Sequence, residues 1–233
     1  MYFSPLVLSC AFLGGLVAGL PVNNTSSYSG NNPFVVVKNQ CSYSIVAGTS
    51  ENGNQYGQSV SVSAGGSHTF NYNAPWEGRI WARKNCSGKT CNFSGMWAPT
   101  SLAEFHFASG TTEDFYDISF VDGWNLPLSI APNTKSSNSY QVDKHCGTPS
   151  VKTLPDCPQG FQTDDGACQS ACSHFQTPEY CCTGAYNSAD TCKASSYAAK
   201  VKAQAPDAYS YAFDDATSVY TCKSQGYTVT FCP

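Results

Sequence analysis

Apolar and polar positions alternate with a period of two along most of the first two thirds of the chain, which is the periodicity of strands. Phe34-Val-Val-Val-Lys-Asn-Gln-Cys41 opens with a β-branched run, and Tyr43-Ser-Ile-Val-Ala47 follows. Ser59-Val-Ser-Val-Ser63 and Ser67-His-Thr-Phe-Asn-Tyr72 alternate on either side of the turn Ala64-Gly-Gly66, and Gly78-Arg-Ile-Trp-Ala-Arg83 comes next. Phe105 and Phe107 flank His106, Gly110-Thr-Thr112 reads as a turn, and Phe115 to Val121 reads as a further strand. Strand signals return at Val219–Cys222 and Tyr227–Phe231. Many short strands and almost no helical period before residue 160 predict a mainly β chain built as a sandwich. No unit of 20–50 residues recurs, which excludes a propeller or solenoid.

Near residue 145 the texture changes. Seven cysteines lie between Cys146 and Cys192, with few strand signals among them. This predicts a disulfide-stapled lobe with short helices. One helix is expected over Ala167–Phe175, capped by Asp164 or Asp165. A second is expected over Ser196–Ala205, capped by Ser195 or Ser196 and stopped by Pro206. The organisation expected is a sandwich core from 33–145 with 206–233, and a disulfide-rich lobe from 146–205.

The first 20 residues are apolar and end near the small-residue site Val17-Ala-Gly19, which reads as a secretory leader although no Lys or Arg precedes the apolar run. Residues 21–32 form a polar arm. The chain is therefore expected outside the cell or in the cell wall, with no stable membrane insertion. Asn23, Asn24 and Asn92 begin glycosylation sequons, and so does Asn85, where Cys86 makes a poor context.

Composition narrows the class. Of 233 residues 12% are charged and 13% aromatic, and the net charge is −4. An acidic balance argues against nucleic acid, and against anionic lipid, as a partner. Setting aside Cys10 in the leader, twelve of the thirteen cysteines remain, an even number that in a secreted chain implies six disulfides. Zinc bound through Cys168, Cys172, Cys181 and Cys182 is the competing use, and an oxidising compartment argues against it. His68, His106, His145 and His174 are scattered without metal-ligand spacing. No phosphate loop, dinucleotide fingerprint or nucleophile elbow occurs. No metal or cofactor is expected.

The acids of one stretch, Ser101 to Pro127, remain as candidate chemistry. Glu104, Asp117 and Asp122 sit among strand signals. Asp117 and Asp122 are five apart, which places them on opposite faces of an ideal strand. Asp122-Gly123 is a turn signal that can re-aim Asp122, so all three acids can meet at one rim.

These residues resemble the thaumatin-like proteins, the group of thaumatin, osmotin and related pathogenesis-related proteins. The similarity rests on Phe34 to Tyr43, Gly78-Arg-Ile-Trp-Ala-Arg83 before Cys86, Ser101-Leu-Ala-Glu-Phe105, Phe115-Tyr-Asp-Ile-Ser-Phe-Val-Asp-Gly-Trp-Asn-Leu-Pro127, Phe175 to Cys182, Pro206-Asp-Ala-Tyr-Ser-Tyr211 and Tyr227 to Pro233, all in the family's order. The resemblance implies a flattened sandwich of about eleven strands beside a disulfide lobe, with an acidic cleft between them. It implies the pairs Cys41–Cys232, Cys86–Cys91, Cys146–Cys222, Cys157–Cys168, Cys172–Cys181 and Cys182–Cys192. The long family form has two more bridges; here Ala205 replaces one cysteine, and the segment after Cys86 is shortened.

The family's cleft residues map to Arg79, Glu104, Asp117, Asp122 and Asp214, with Asp215 as the alternative to Asp214. Tyr72, Tyr116, Trp124 and Tyr211 are candidates to pack on sugar rings, each with the sandwich core as its competing place. The function implied is binding of β-1,3-glucan by a monomeric wall-directed protein. Hydrolysis would use Glu104 as general acid and Asp122 as base, with Arg79 holding Asp117 or Asp214 ionised. The alternatives are a non-catalytic antifungal or defence protein that permeabilises membranes or inhibits hydrolases, and a protein that remodels its producer's own wall.

Overall fold

The computed structural model describes residues 32–109, 112–133 and 145–233. The leader, nearly all of the arm, and Asn23 and Asn24 lie outside the described residues. The strands are β1 (Phe34–Asn39), β2 (Ile45–Glu51), β3 (Gln58–Val62), β4 (Ser67–Asn71), β5 (Trp76–Arg83), β6 (Leu102–Phe107), β7 (Asp114–Ser119), β8 (Gly123–Trp124), β9 (Leu128–Pro132), β10 (Ser150–Val151), β11 (Cys168–Gln169), β12 (Ala208–Tyr209), β13 (Tyr220–Cys222) and β14 (Gly226–Phe231). Among the described residues four short α-helices join them: α1 (Ala171–Phe175), α2 (Pro178–Cys181), α3 (Ser196–Gln204) and α4 (Asp215–Ser218). Among the described residues no helix is long and apolar enough to cross a membrane.

One sheet has the order β10-β9-β14-β1-β4. A larger sheet has the order β12-β7-β6-β5-β2-β3, with β13 also paired to β7. Alternation decides which faces meet. Ala103, Phe105 and Phe107 of β6 and Tyr116 and Ile118 of β7 point inward, and they meet Tyr227 and Val229 of β14 in one core. Tyr227 is the hinge of that contact, with ring centroids 5.0 Å from Tyr116 and 5.3 Å from Phe105. Its hydroxyl donates to Asp114 Oδ2 at 2.9 Å, which satisfies a buried carboxyl. Asn39 is buried at the end of β1, and its amide donates to the carbonyls of Tyr43, Val62 and Ser63, tying the first strand to the neighbouring hairpin.

The sequence pattern locates most of the longer strands to within a few residues; it gives no sign of β9, a five-residue strand ending at Pro132, and β8, β10, β11 and β12 are two-residue pairings too short to carry a pattern. One helix is corrected. Ala167–Phe175 is not a single helix: Cys168 and Gln169 pair with Trp124 and Gly123 as a small sheet. Helix α1 starts only after Ser170, whose hydroxyl accepts from Ser173 N. Neither Asp164 nor Asp165 caps it. Instead Asp165 pairs with the buried Arg83 at 3.4 Å. Helix α3 lies where expected, capped by Ser195, which accepts from Ala198 N.

Six disulfides close the chain, and all have the pairing that the resemblance implies: 41–232, 86–91, 146–222, 157–168, 172–181 and 182–192. The four cysteines considered for zinc are each in a bridge.

Candidate functional site

The outer face of the larger sheet is where alternation sends the residues that do not enter the core. Cross-strand register puts Ser50, Arg79, Glu104 and Asp117 in one row across β2, β5, β6 and β7. A row below it runs Glu77, His106, Phe115. Above it, Leu102 pairs with Ser119, and Ser119 with Tyr209 of β12.

The two ends of this face are treated differently. Over β5 it is covered. Trp81 is fully buried and packs on Gly48, where a Cβ would lie 2.3 Å from the indole. Its Nε1 donates to the Cys91 carbonyl. Arg83 donates to the Phe93 and Ala98 carbonyls at 3.3 and 2.7 Å. Arg79 donates through Nε to Ser94 Oγ at 2.9 Å and through Nη2 to the Ser94 carbonyl at 3.2 Å. The segment after Cys86 is thus a wall clamped by two arginines. Over β6 and β7 no arginine-clamped segment of this kind lies on the row among the described residues; Glu104 and Asp117 are half-buried as residues, and Asp117 Oδ1 is closed to water.

Asp122 joins them from the turn after β7. The Gly123 N–H donates to the Phe120 carbonyl at 3.0 Å and closes this turn. Gly123 has φ +122°, and a Cβ there would lie 2.2 Å from the Cys168 carbonyl oxygen, so only glycine fits. The Asp122 carbonyl accepts from Ser173 Oγ of α1 at 2.6 Å. These restraints turn Asp122 back toward Glu104 and Arg79.

Each of the three carboxyls holds its proton more tightly than usual. Burial raises Glu104, the Asp122 charge raises it further, and a hydrogen bond from Ser119 and the Arg79 charge oppose both. Asp117 is raised well above its ordinary value through burial and then the charges of Glu104 and Asp215. Asp122 is raised by burial and drawn back by Arg79. Asp117 Oδ1 is buried and makes no hydrogen bond to protein.

Two expected placements change. Asp214 is committed elsewhere: it accepts from Ser210 N, Ser210 Oγ and Thr217 Oγ1, and pairs with Lys202 at 3.1 Å. Its neighbour Asp215 faces the row, accepts from the Tyr209 hydroxyl at 3.0 Å and acts on Asp117. Arg79 accordingly bears on Glu104 and Asp122, not on Asp117 or Asp214.

The aromatics divide in the same way. Tyr72, Tyr116 and Trp124 are buried, and their polar atoms are spent on Thr49, the Gly147 carbonyl and the Pro155 carbonyl. Tyr72 and Tyr116 thus belong to the core. Trp124 borders, from beneath, a depression that Tyr180, Tyr197 and Tyr211 also line. Tyr211 keeps partial exposure at that depression. Tyr209 was not singled out from the sequence. Its hydroxyl lies among Asp117, Asp215 and Glu104, which together with burial raise its pKa. The signal for it is the match Pro206-Asp-Ala-Tyr-Ser-Tyr211, which holds two tyrosines two residues apart.

Comparison with known proteins identifies the family. The Thaumatin family profile matches residues 39–233. The chain belongs to the thaumatin family. It is 37% identical over 226 residues to "Thaumatin-like protein 1" of Arabidopsis thaliana, covering 85% of each chain. Over 222 residues it is 36% identical to a Prunus avium relative named "Glucan endo-1,3-beta-glucosidase", covering 84% of this chain and 89% of that one. Among solved structures, the thaumatin-like xylanase inhibitor aligns over 85% of this chain and 99% of its own, at 12% identity and a TM-score of 0.43.

Proposed function

We propose that this protein binds β-1,3-glucan of cell walls across the outer face of the larger sheet and cleaves it slowly. The observation that carries this reading is the row Arg79–Glu104–Asp117, with Asp122 folded back onto it, all partly open beside a clamped wall. Neutral sugars present hydroxyl donors and acceptors along one edge and C–H faces along another. Carboxyls take the hydroxyls, and Glu104 and Asp122 both belong to half-exposed residues at the row. Tyr211 and Tyr209 supply aromatic surface next to the row.

Cleavage of a glycosidic bond needs one carboxyl that keeps its proton and one that gives it up. The division proposed is Glu104 as acid and Asp122 as base. Burial and the Asp122 charge hold the proton on Glu104, while Arg79 favours the ionised form of Asp122. The name of the Prunus avium relative supports the same substrate and reaction. Six disulfides support an oxidising, extracellular setting.

The test is release of reducing ends from a soluble β-1,3-glucan, with Glu104→Gln run beside the parent and binding followed by pull-down. Release by the parent, at least 100-fold reduced in the variant, with binding kept, is expected for loss of a general acid. Binding without release in either protein removes the catalytic half and leaves a lectin-like wall binder. Preference for xylan or chitin moves the substrate elsewhere.

A further inference from the structure

The wall beside the acid row ends in a two-residue turn, Gly95-Met-Trp-Ala98. Paired hydrogen bonds close it: the Ala98 N–H donates to the Gly95 carbonyl at 2.9 Å, and the Gly95 N–H to the Ala98 carbonyl at 3.4 Å. Trp97 sits at its tip and is 71% exposed, more than any other large hydrophobic side chain among the described residues. The other three tryptophans, Trp76, Trp81 and Trp124, are buried or partly buried. Tyr56, Phe115, Phe175 and Tyr186 are also exposed, but Trp97 offers more aromatic surface to water than any of them and is the one placed on the wall beside the acids.

The turn is rigid and its place is defined. Arg83 grips both sides, at the Phe93 and Ala98 carbonyls, and Arg79 grips Ser94 just before it. Its base abuts the acids: a methyl group at Gly95 would lie 3.9 Å from Asp122 Oδ2. Arg79 therefore links the two: its charge acts on Glu104 and Asp122, and its hydrogen bonds hold Ser94, the residue before the turn that carries the indole. A flat apolar face so held, next to hydrogen-bonding acids, suits the C–H face of a pyranose. It loses little conformational entropy on binding, because the indole has two side-chain torsions and its backbone is already fixed.

We propose that Trp97 is a sugar-stacking platform at the rim of the acid row, and that it determines affinity for neutral β-linked glucan chains longer than those the carboxyls alone can hold. This rests on the reading of the acid row as a glucan site. Trp97 takes no part in proton transfer; it fixes where the chain enters.

The experiment is fluorescence titration of the folded protein with β-1,3-glucan oligosaccharides of two and six units, with iodide quenching before and after. Trp97→Ala and Trp97→Phe are measured alongside. The hexasaccharide is expected to shield the parent's emission from iodide. It should bind Trp97→Ala about tenfold more weakly, as for loss of one stacked ring. Trp97→Phe should recover part of the affinity, and the disaccharide should be much less sensitive. If the parent binds the hexasaccharide and Trp97→Ala binds it equally well, the platform is overturned while the acid-row reading stands. A parent that binds no glucan overturns both. Because the indole is exposed, the thermal melt of Trp97→Ala should match that of the parent, so weaker binding cannot be ascribed to misfolding.

Discussion

The central residues carry their chemistry in their surroundings. Glu104 and Asp117 face each other across two strands, each partly removed from water. Their native pKa values are raised, so the folded protein keeps protons that the unfolded chain releases near pH 4. Their stabilising contribution is complete below about pH 4 and is lost as pH rises through the raised native values. Replacing Asp117 by Asn removes the burden of charging a buried group at neutral pH. Asp117→Asn is expected to melt about 2–4 °C above the parent at pH 7, as for about 1 kcal/mol in a chain of this size, with the gap closing towards pH 4. Melting curves across that range would show it, and a gap that does not change with pH would refute it. Residue identity alone showed that acids were present but not which ones meet. Asp214 and Asp215 are adjacent and chemically equal, and only the Lys202 pair on one and the Tyr209 hydroxyl on the other separate them. Tyr72, Tyr116 and Trp124 fit a sugar platform and a core equally well in sequence, and burial decided for the interior.

Elements follow from pattern wherever they are long enough to repeat it. β1, β6, β7 and β14 alternate over five or six residues each, and their inward and outward faces can be read from that. Ala167–Phe175 misleads because Cys168 and Gln169 make their bonds to β8, a partner more than forty residues away that local propensity does not reveal. That small sheet holds the turn bearing Asp122, and Gly123 is its tightest point. Gly123→Ala would force a Cβ to 2.2 Å from the Cys168 carbonyl oxygen and to 2.7 Å from Pro99 Cβ, on a backbone at φ +122°. A loss of more than about 2 kcal/mol is expected from strain and displacement together. Urea titration measures it, and a variant as stable as the parent would mean that the turn is free to move. Asp122 should be displaced in any folded fraction, so glucan binding should fall with stability.

Across the whole molecule the disulfides set the hierarchy. Cys41–Cys232 closes a span of 191 residues and Cys86–Cys91 a span of 5. In the loop-entropy account the first stabilises by about 5 kcal/mol and the second by about 2. Replacing the Cys41–Cys232 pair by serines is therefore expected to cost more than twice as much as replacing Cys86–Cys91. Equal losses would place the stabilisation in local native contacts instead. The short bridge has a different importance, because it anchors the wall that Arg79 and Arg83 clamp. Its removal should weaken glucan binding more than its effect on stability suggests. This partition was legible in the cysteine arithmetic together with the family motifs; the course of the wall, and with it the place of Trp97, was not, since a shortened loop has no pattern to read.

The binding expectations depend on the acid-lined sheet face being the surface that meets glucan. Titration calorimetry of a soluble β-1,3-glucan into the parent, and into the combined variant Glu104→Gln, Asp117→Asn, Asp122→Asn, tests that directly. Saturable binding by the parent, weakened at least tenfold in the folded variant, is the expected result. Equal affinity in the two proteins, or no binding by the parent, would contradict it.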